Sequence, residues 1–181
     1  MHKETVWNNM KKHFAGKGMT KAFLIIINIF LILPSLFSQG KSDSSNRIII
    51  HHEIDFKVQP QQLYQTLLDS KKFSACTKNS FPEFSETSAK IDSTVGGTFS
   101  LFDGHIVGRI LELVPGHRIV EAWRVVDWPA GIYSIAKFEF ESKNSGTHLV
   151  FDHVGFPEGL KEHLSVGWQQ HYWDALTKYF Q

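Results

Sequence analysis

Between Val95 and Pro129 the chain is punctuated by turn residues at short, fairly regular intervals. Gly96-Gly97, Asp103-Gly104, Gly108, Pro115-Gly116 and Trp128-Pro129 separate short apolar runs, too short for helices of ordinary length. Strands joined by tight turns, with no room for a crossover helix, pair antiparallel. This stretch therefore requires an antiparallel meander, and the rest of the domain must cover its apolar face.

The flanking segments complete the pattern. Ile48, Ile50, Ile54, Phe56 and Val58 alternate with polar residues, which predicts a half-buried strand with its even positions inward, His52 among them. Gln59-Pro60 opens a helix with proline at a favoured first position and an apolar stripe of Leu63, Tyr64, Leu67 and Leu68. Ser70 to Thr77 reads as a second short helix, and Asn79 to Thr87 as an irregular loop. Strands are expected near Ala89–Ser93, Thr98–Phe102, His105–Leu113, Arg118–Val126, Ile132–Ser142 and Thr147–Val154. Asp103-Gly104 signals a tight hairpin and Asn144-Ser145-Gly146 a slightly longer one. A long helix from Glu158 to Phe180 closes the chain, with Leu160, Leu164, Trp168, Tyr172 and Leu176 on its apolar face. One strand, two small helices, a run of strands and a closing helix make an α+β domain: a curved antiparallel sheet wrapped around a long C-terminal helix. Without strand–helix alternation, a parallel doubly wound sheet is excluded.

Ahead of the domain, Lys3, Lys11, Lys12, Lys17 and Lys21 precede sixteen mostly apolar residues, Ala22 to Phe37, and Ser38-Gln39-Gly40 follows. A basic start, a short apolar middle and a small-residue exit describe a signal peptide over residues 1–40, with Met19 as a possible true start. The alternative is an uncleaved anchor held by the lysines. Either places the domain outside the cytoplasm, periplasmic or secreted, with the membrane involved only through this segment. Lys41 to Asn46 is a polar linker, and the domain occupies residues 47–181.

The net charge of +1 includes that basic leader; without it, 14 basic and 17 acidic residues leave the domain at −3. A mildly acidic domain without a basic stripe is a poor nucleic-acid binder. Cys76 is the only cysteine, so no intrachain disulfide forms. It sits among apolar residues and reads as a small core hydrophobe.

Ten histidines raise the question of zinc, but no His-x3-His or H-E-x-x-H spacing occurs, and His51 and His52 point to opposite faces of a strand. No metal and no cofactor are expected. Gly96-Gly97 enters a strand and so is no phosphate cradle, and no Gly-x-Ser-x-Gly exists. Arg109, Glu121 and Arg124 read as ion pairs across neighbouring strands. Trp123, Phe138, Phe151, Trp168 and Tyr172 lie on inward faces, where they serve equally as core or as the wall of an apolar pocket. His52, His153 and His171 are the polar groups that project to the same side, either hydrogen-bonded within the core or orienting a ligand.

Gly96-Gly97-x-Phe99, Asp103-Gly104, Leu113-Val114-Pro115, Trp123-Arg124, Trp128-Pro129, Gly155-Phe156-Pro157, Gly167-Trp168 and Tyr172-Trp173, in this order and spacing, resemble one family. It is the C-terminal domain of the activators of heat-shock-protein-90 ATPase, within the START-like (SRPBCC) superfamily. The likeness runs from about Ile48 to Phe180. It implies the helix-grip fold, with a cavity between sheet and last helix that superfamily relatives use for lipids or other apolar ligands, whereas the activators bind the chaperone. With an export signal in front, the leading expectation is a module that binds an apolar small molecule or lipid, lined by the five aromatics and three histidines named above. The alternatives are a protein-interaction module and, behind it, a cyclase- or hydrolase-type enzyme with a histidine as acid or base; no catalytic motif supports the last.

Overall fold

The computed structural model describes residues 48–78, 80 and 88–181. The expected leader, the polar linker and nearly all of the Asn79–Thr87 loop lie outside the described residues. The elements are β1 (Ile49–Phe56), α1 (Pro60–Leu68), α2 (Ser70–Thr77), β2 (Lys90–Ile91), β3 (Thr98–Leu101), β4 (Ile106–Val114), β5 (Arg118–Val125), β6 (Ser134–Lys143) and β7 (Gly146–Val154). A closing helical segment follows: α3 (Lys161–Trp168), a π-helical turn (Gln169–Trp173) and α4 (Asp174–Tyr179). The seven strands form one antiparallel sheet in the order β1-β7-β6-β5-β4-β3-β2, a meander to which β1 adds at the end.

Alternation decides the faces as the sequence suggests. Ser134, Ala136, Phe138 and Phe140 of β6 are buried, as are Leu149, Phe151 and His153 of β7 and Ile50 and Phe56 of β1. The opposite face is wet and carries a chain of ion pairs: His51 to Asp152, Asp152 to Lys137, Lys137 to Glu139, Glu139 to Arg118 and Arg118 to Glu112. Exposed pairs of this kind contribute little each, so the buried face holds the fold.

Both short helices lie where expected. Pro60 occupies the first turn of α1, and the Asp69 carboxylate caps α2 by accepting from the Lys71 and Lys72 amides. Between Ile110 and Glu112 a bulge in β4 leaves Leu111 outside the pairing, the kind of insertion that bends a sheet. Gly108 is demanded by packing, since a Cβ there would sit 2.2 Å from both the Ala122 carbonyl and the Phe99 ring.

Four expectations change. The strand near Ala89–Ser93 is only Lys90–Ile91, because the Asp92 carboxylate accepts from the Thr94 hydroxyl and the Gly97 amide bonds Thr94, turning the chain early. The two hairpins exchange character. Asn144 and Ser145 (φ 48° and 68°) close a two-residue turn between the paired Lys143 and Gly146, whereas four residues lie between the paired Leu101 and Ile106. Burial of Phe102 accounts for the wider loop: its side chain is completely enclosed against Phe73 and Tyr172 and is withdrawn from a tight turn. The closing helix begins at Lys161 rather than Glu158, because Gly159 adopts φ +81°. Finally, Arg109, Glu121 and Arg124 do not pair. Arg109 donates to the Gly96 carbonyl, Arg124 to the carbonyls of Val125, Val126 and Trp128, and Glu121 faces inward. Among the described residues no helix is long and apolar enough to cross a membrane.

Candidate functional site: the grip and its cleft

The sheet and the closing helix are fastened by two tryptophan–histidine pairs. Trp168 Nε1 donates to His153 Nδ1 at 2.9 Å, and Trp173 Nε1 donates to His52 Nδ1 at 2.7 Å. An indole N–H only donates, so each histidine must accept at Nδ1 and carry its proton on Nε2. His153 Nε2 then donates to Ser134 Oγ (2.6 Å), which donates to the Trp123 carbonyl (2.8 Å). His52 Nε2 donates to Ser165 Oγ at 2.8 Å. Burial pushes the His153 pKa down to about 3. His52 is also lowered, first by burial and then by the charge of His51. Both rings are neutral, and each ring nitrogen is engaged within the domain.

The π-helical turn sets this geometry. It places Trp168 and Trp173 on one side, stacked at 5.6 Å with 18° between their planes. Phe151 packs 4.3 Å from Trp168, Phe138 5.9 Å from it, and the two phenylalanines lie 5.0 Å apart. The interior of the grip is thus filled by rings. Beside this packing lies a void of about 10 Å³, walled by Phe73, Ile119, Phe138, Tyr172 and Glu121 among others.

A larger space opens beside the helix. It is a cleft of about 720 Å³ whose apolar wall includes Phe102, Ile106, Trp123, Leu164, Trp168 and Tyr172. His105, His163 and His171 also line it, and His171 Nδ1 approaches the Ser80 carbonyl. Four of the eight residues singled out in the sequence therefore meet at the cleft: Trp123, Trp168, Tyr172 and His171. The other four, Phe138, Phe151, His52 and His153, lie within the sheet–helix packing. Gly167 lines the cleft too, and a Cβ there would meet only a His171 ring carbon at 3.9 Å, so no tight packing explains this glycine.

Glu121 is the residue that sequence reasoning misplaced. It stands between Ile119 and Trp123 on the inward side of β5, half-buried and lining the small void. Burial raises its pKa to about 8. Nearby, Tyr172 Oη and Trp123 Nε1 are completely enclosed and face each other without forming a hydrogen bond of good geometry. Burial raises the Tyr172 pKa, the Trp123 indole beside it opposes the rise, and the Glu121 charge adds to it. Cys76 packs against the core, its thiol pushed up to about 12 by burial, so it is no nucleophile. Among the described residues no three His, Cys, Asp or Glu side chains converge as metal ligands would.

Residues 57–181 match the family model described as Activator of Hsp90 ATPase homolog 1-like protein. The chain belongs to this family. The human activator of 90 kDa heat shock protein ATPase homolog 1 is 29% identical over 125 residues, 69% of this chain and 35% of that protein. An uncharacterised protein of Schizosaccharomyces pombe is 32% identical over 174 residues, 95% of this chain and 46% of its own length. Among solved structures, an HSP90 activator from Plasmodium falciparum superposes with a TM-score of 0.64 at 29% identity, over 70% of this chain and 91% of that one. The Aha1 dimer from Colwellia psychrerythraea, at 18% identity and a TM-score of 0.59, shows the same fold. The helix-grip fold expected from the sequence is therefore the fold of this Hsp90-activator-like domain. The chain spans about a third to a half of the length of these curated relatives.

Proposed function

We propose that this Hsp90-activator-like domain is a protein-docking module whose partner is an Hsp90-type chaperone. The observation that supports it best is the filled grip. Trp168, Trp173, Phe138 and Phe151 fill the middle of the grip, where the void beside Phe138 measures about 10 Å³, so the roomy space is the open cleft at its edge. A module without a roomy interior works with its surface, and the relatives at 24–29% identity are named as activators or co-chaperones of Hsp90. The lip of the cleft offers such a surface, with Val166 52% exposed on α3 between His163 and Gly167.

The test is direct. The purified chain is titrated into an Hsp90-type chaperone from the same cell, reading complex formation by calorimetry and ATP turnover. Val166→Asp should weaken the complex at least tenfold while leaving the melting temperature unchanged. A folded chain that neither binds nor alters turnover would overturn the proposal, as would a chaperone confined to a compartment the mature chain never enters.

A second reading rests on the cleft. A space of about 720 Å³ with eight apolar side chains on its wall lies within the range of small-molecule sites, so it also suits an apolar ligand. His52 and His153 have both ring nitrogens engaged within the domain, so neither serves as the acid or base of an enzymatic reading.

A further inference from the structure

Polar side chains buried in this domain are almost all accounted for. Thr66, Thr77 and Thr147 donate to the Gln62, Phe73 and Val58 carbonyls, and Ser134 and His153 belong to the chain of bonds that fixes Trp168. Two atoms break the rule. Among the described residues, Trp123 Nε1 and Tyr172 Oη are the enclosed side-chain nitrogen and oxygen atoms without a well-formed hydrogen bond, each with the other beside it. They are neighbours, they sit on opposite jaws of the grip, and the Glu121 carboxyl lies close by with no hydrogen bond or ion pair of its own. Buried donors left unmade are expensive, so two together beside a third unpaired group call for an explanation.

The placement of Tyr172 supplies one. Its ring is a shared wall: it lines the outer cleft and also the small void that Glu121 faces. Trp123 likewise borders the outer cleft. Tyr172 is the one residue common to both linings, so the connection between them would run past its side chain. Tyr172 is carried by the π-helical turn, an element that recurs at functional sites.

We propose that Trp123, Tyr172 and Glu121 form the polar inner end of a small-molecule site, which takes a neutral apolar compound bearing one carbonyl or hydroxyl oxygen. This rests on the cleft being a ligand space. The apolar body lies in the cleft against Phe102, Ile106 and Leu164, and the oxygen accepts from the indole N–H and the phenol O–H. Glu121, held protonated near neutral pH by its burial, adds a third donor. The chemistry selects the class. Two fixed donors need an acceptor, which an ammonium group is not. A carboxylate would give up its hydration for an enclosed site that offers no positive charge.

Two fluorescent probes test this on the full chain: a propionyl-substituted dimethylaminonaphthalene, and the same naphthylamine without the propionyl group. The ketone should bind one to one and about tenfold tighter than its parent, the worth of one to two hydrogen bonds. Tyr172→Phe and Glu121→Gln should each cut ketone affinity several-fold and leave the parent unchanged, and Trp123→Phe provides a third variant that keeps the stacking. Equal binding of both probes, or ketone binding indifferent to all three variants, overturns the polar site and leaves the apolar cleft standing. If neither probe binds a chain with native near-ultraviolet circular dichroism, the ligand reading of the cleft falls as well.

Discussion

Replacing Glu121 by glutamine should make the domain's response to acid less favourable. Glu121 has its folded pKa raised from 4.5 to about 8. The folded state keeps a proton that the unfolded chain releases above 4.5, so this group's contribution is lost as pH rises toward 8. His153 has its folded pKa lowered from 6.5 to about 3. The unfolded chain takes a proton below 6.5 that the folded state refuses, so stability is lost as pH falls from 6.5 toward 3. Each full pKa unit is worth about 1.36 kcal/mol. Between about pH 7.5 and about pH 5.0, acidification returns about 3 kcal/mol through Glu121 and removes about 2 kcal/mol through His153. These two groups together contribute a gain of about 1 kcal/mol over that range, and Glu121→Gln should respond to acid about 3 kcal/mol less favourably than the native domain. His51, raised by its Asp152 hydrogen bond, and His52, lowered by burial, shift both profiles alike and cancel in the comparison. Urea denaturation followed by tryptophan fluorescence at several pH values reads the difference. Parallel profiles for the two proteins would show that Glu121 is ionised in the folded state, and the reasoning would fail.

Three further outcomes follow, two from the packing and one from the leader. His153→Ala strands the Trp168 N–H and the Ser134 hydroxyl in the core, and should cost about 4 kcal/mol in chemical denaturation; a loss below about 1 kcal/mol would mean the helix is held by ring packing alone. Gly167→Ala should stabilise the domain by about 0.5–1 kcal/mol in thermal melts, since helix propensity improves and only a His171 ring carbon lies near. Intact mass of the native protein reads the fate of the leader: a species beginning near Gln39–Lys41 means export and requires a chaperone outside the cytoplasm as the partner, whereas a species retaining Met1 or Met19 refutes the signal peptide.

Period-two alternation exposed the inward faces of β1, β6 and β7 in the sequence, and Gln59-Pro60 marked the start of α1, because these signals are local. The wide loop at Phe102 was hidden, since the pocket that buries this ring is built by Phe73 and Tyr172, far away in sequence. Strand parity placed His52 and His153 inward, but not the indoles that claim their Nδ1 atoms, which arrive from a helix 121 and 15 residues downstream. Glu121 was legible by parity as well. It stands two residues from both Ile119 and Trp123, yet a glutamate is so seldom buried that an ion pair on the surface was the natural reading.

The π-helical turn has a consequence for how this helix tolerates insertion and deletion. In an uninterrupted α-helix, residues five apart diverge by about 140°, so Trp168 and Trp173 would not both reach the sheet; residues four apart diverge by only about 40°. The segment therefore holds one residue more than docking two indoles requires. Deleting the exposed Gln170 would convert it to plain α-helix with both tryptophans still directed at their histidines, while Tyr172 would be re-aimed. Homologues that lack this residue should keep the grip and differ at the Tyr172 position, so the length of this one turn separates what the helix needs to hold on from what it adds on the inside.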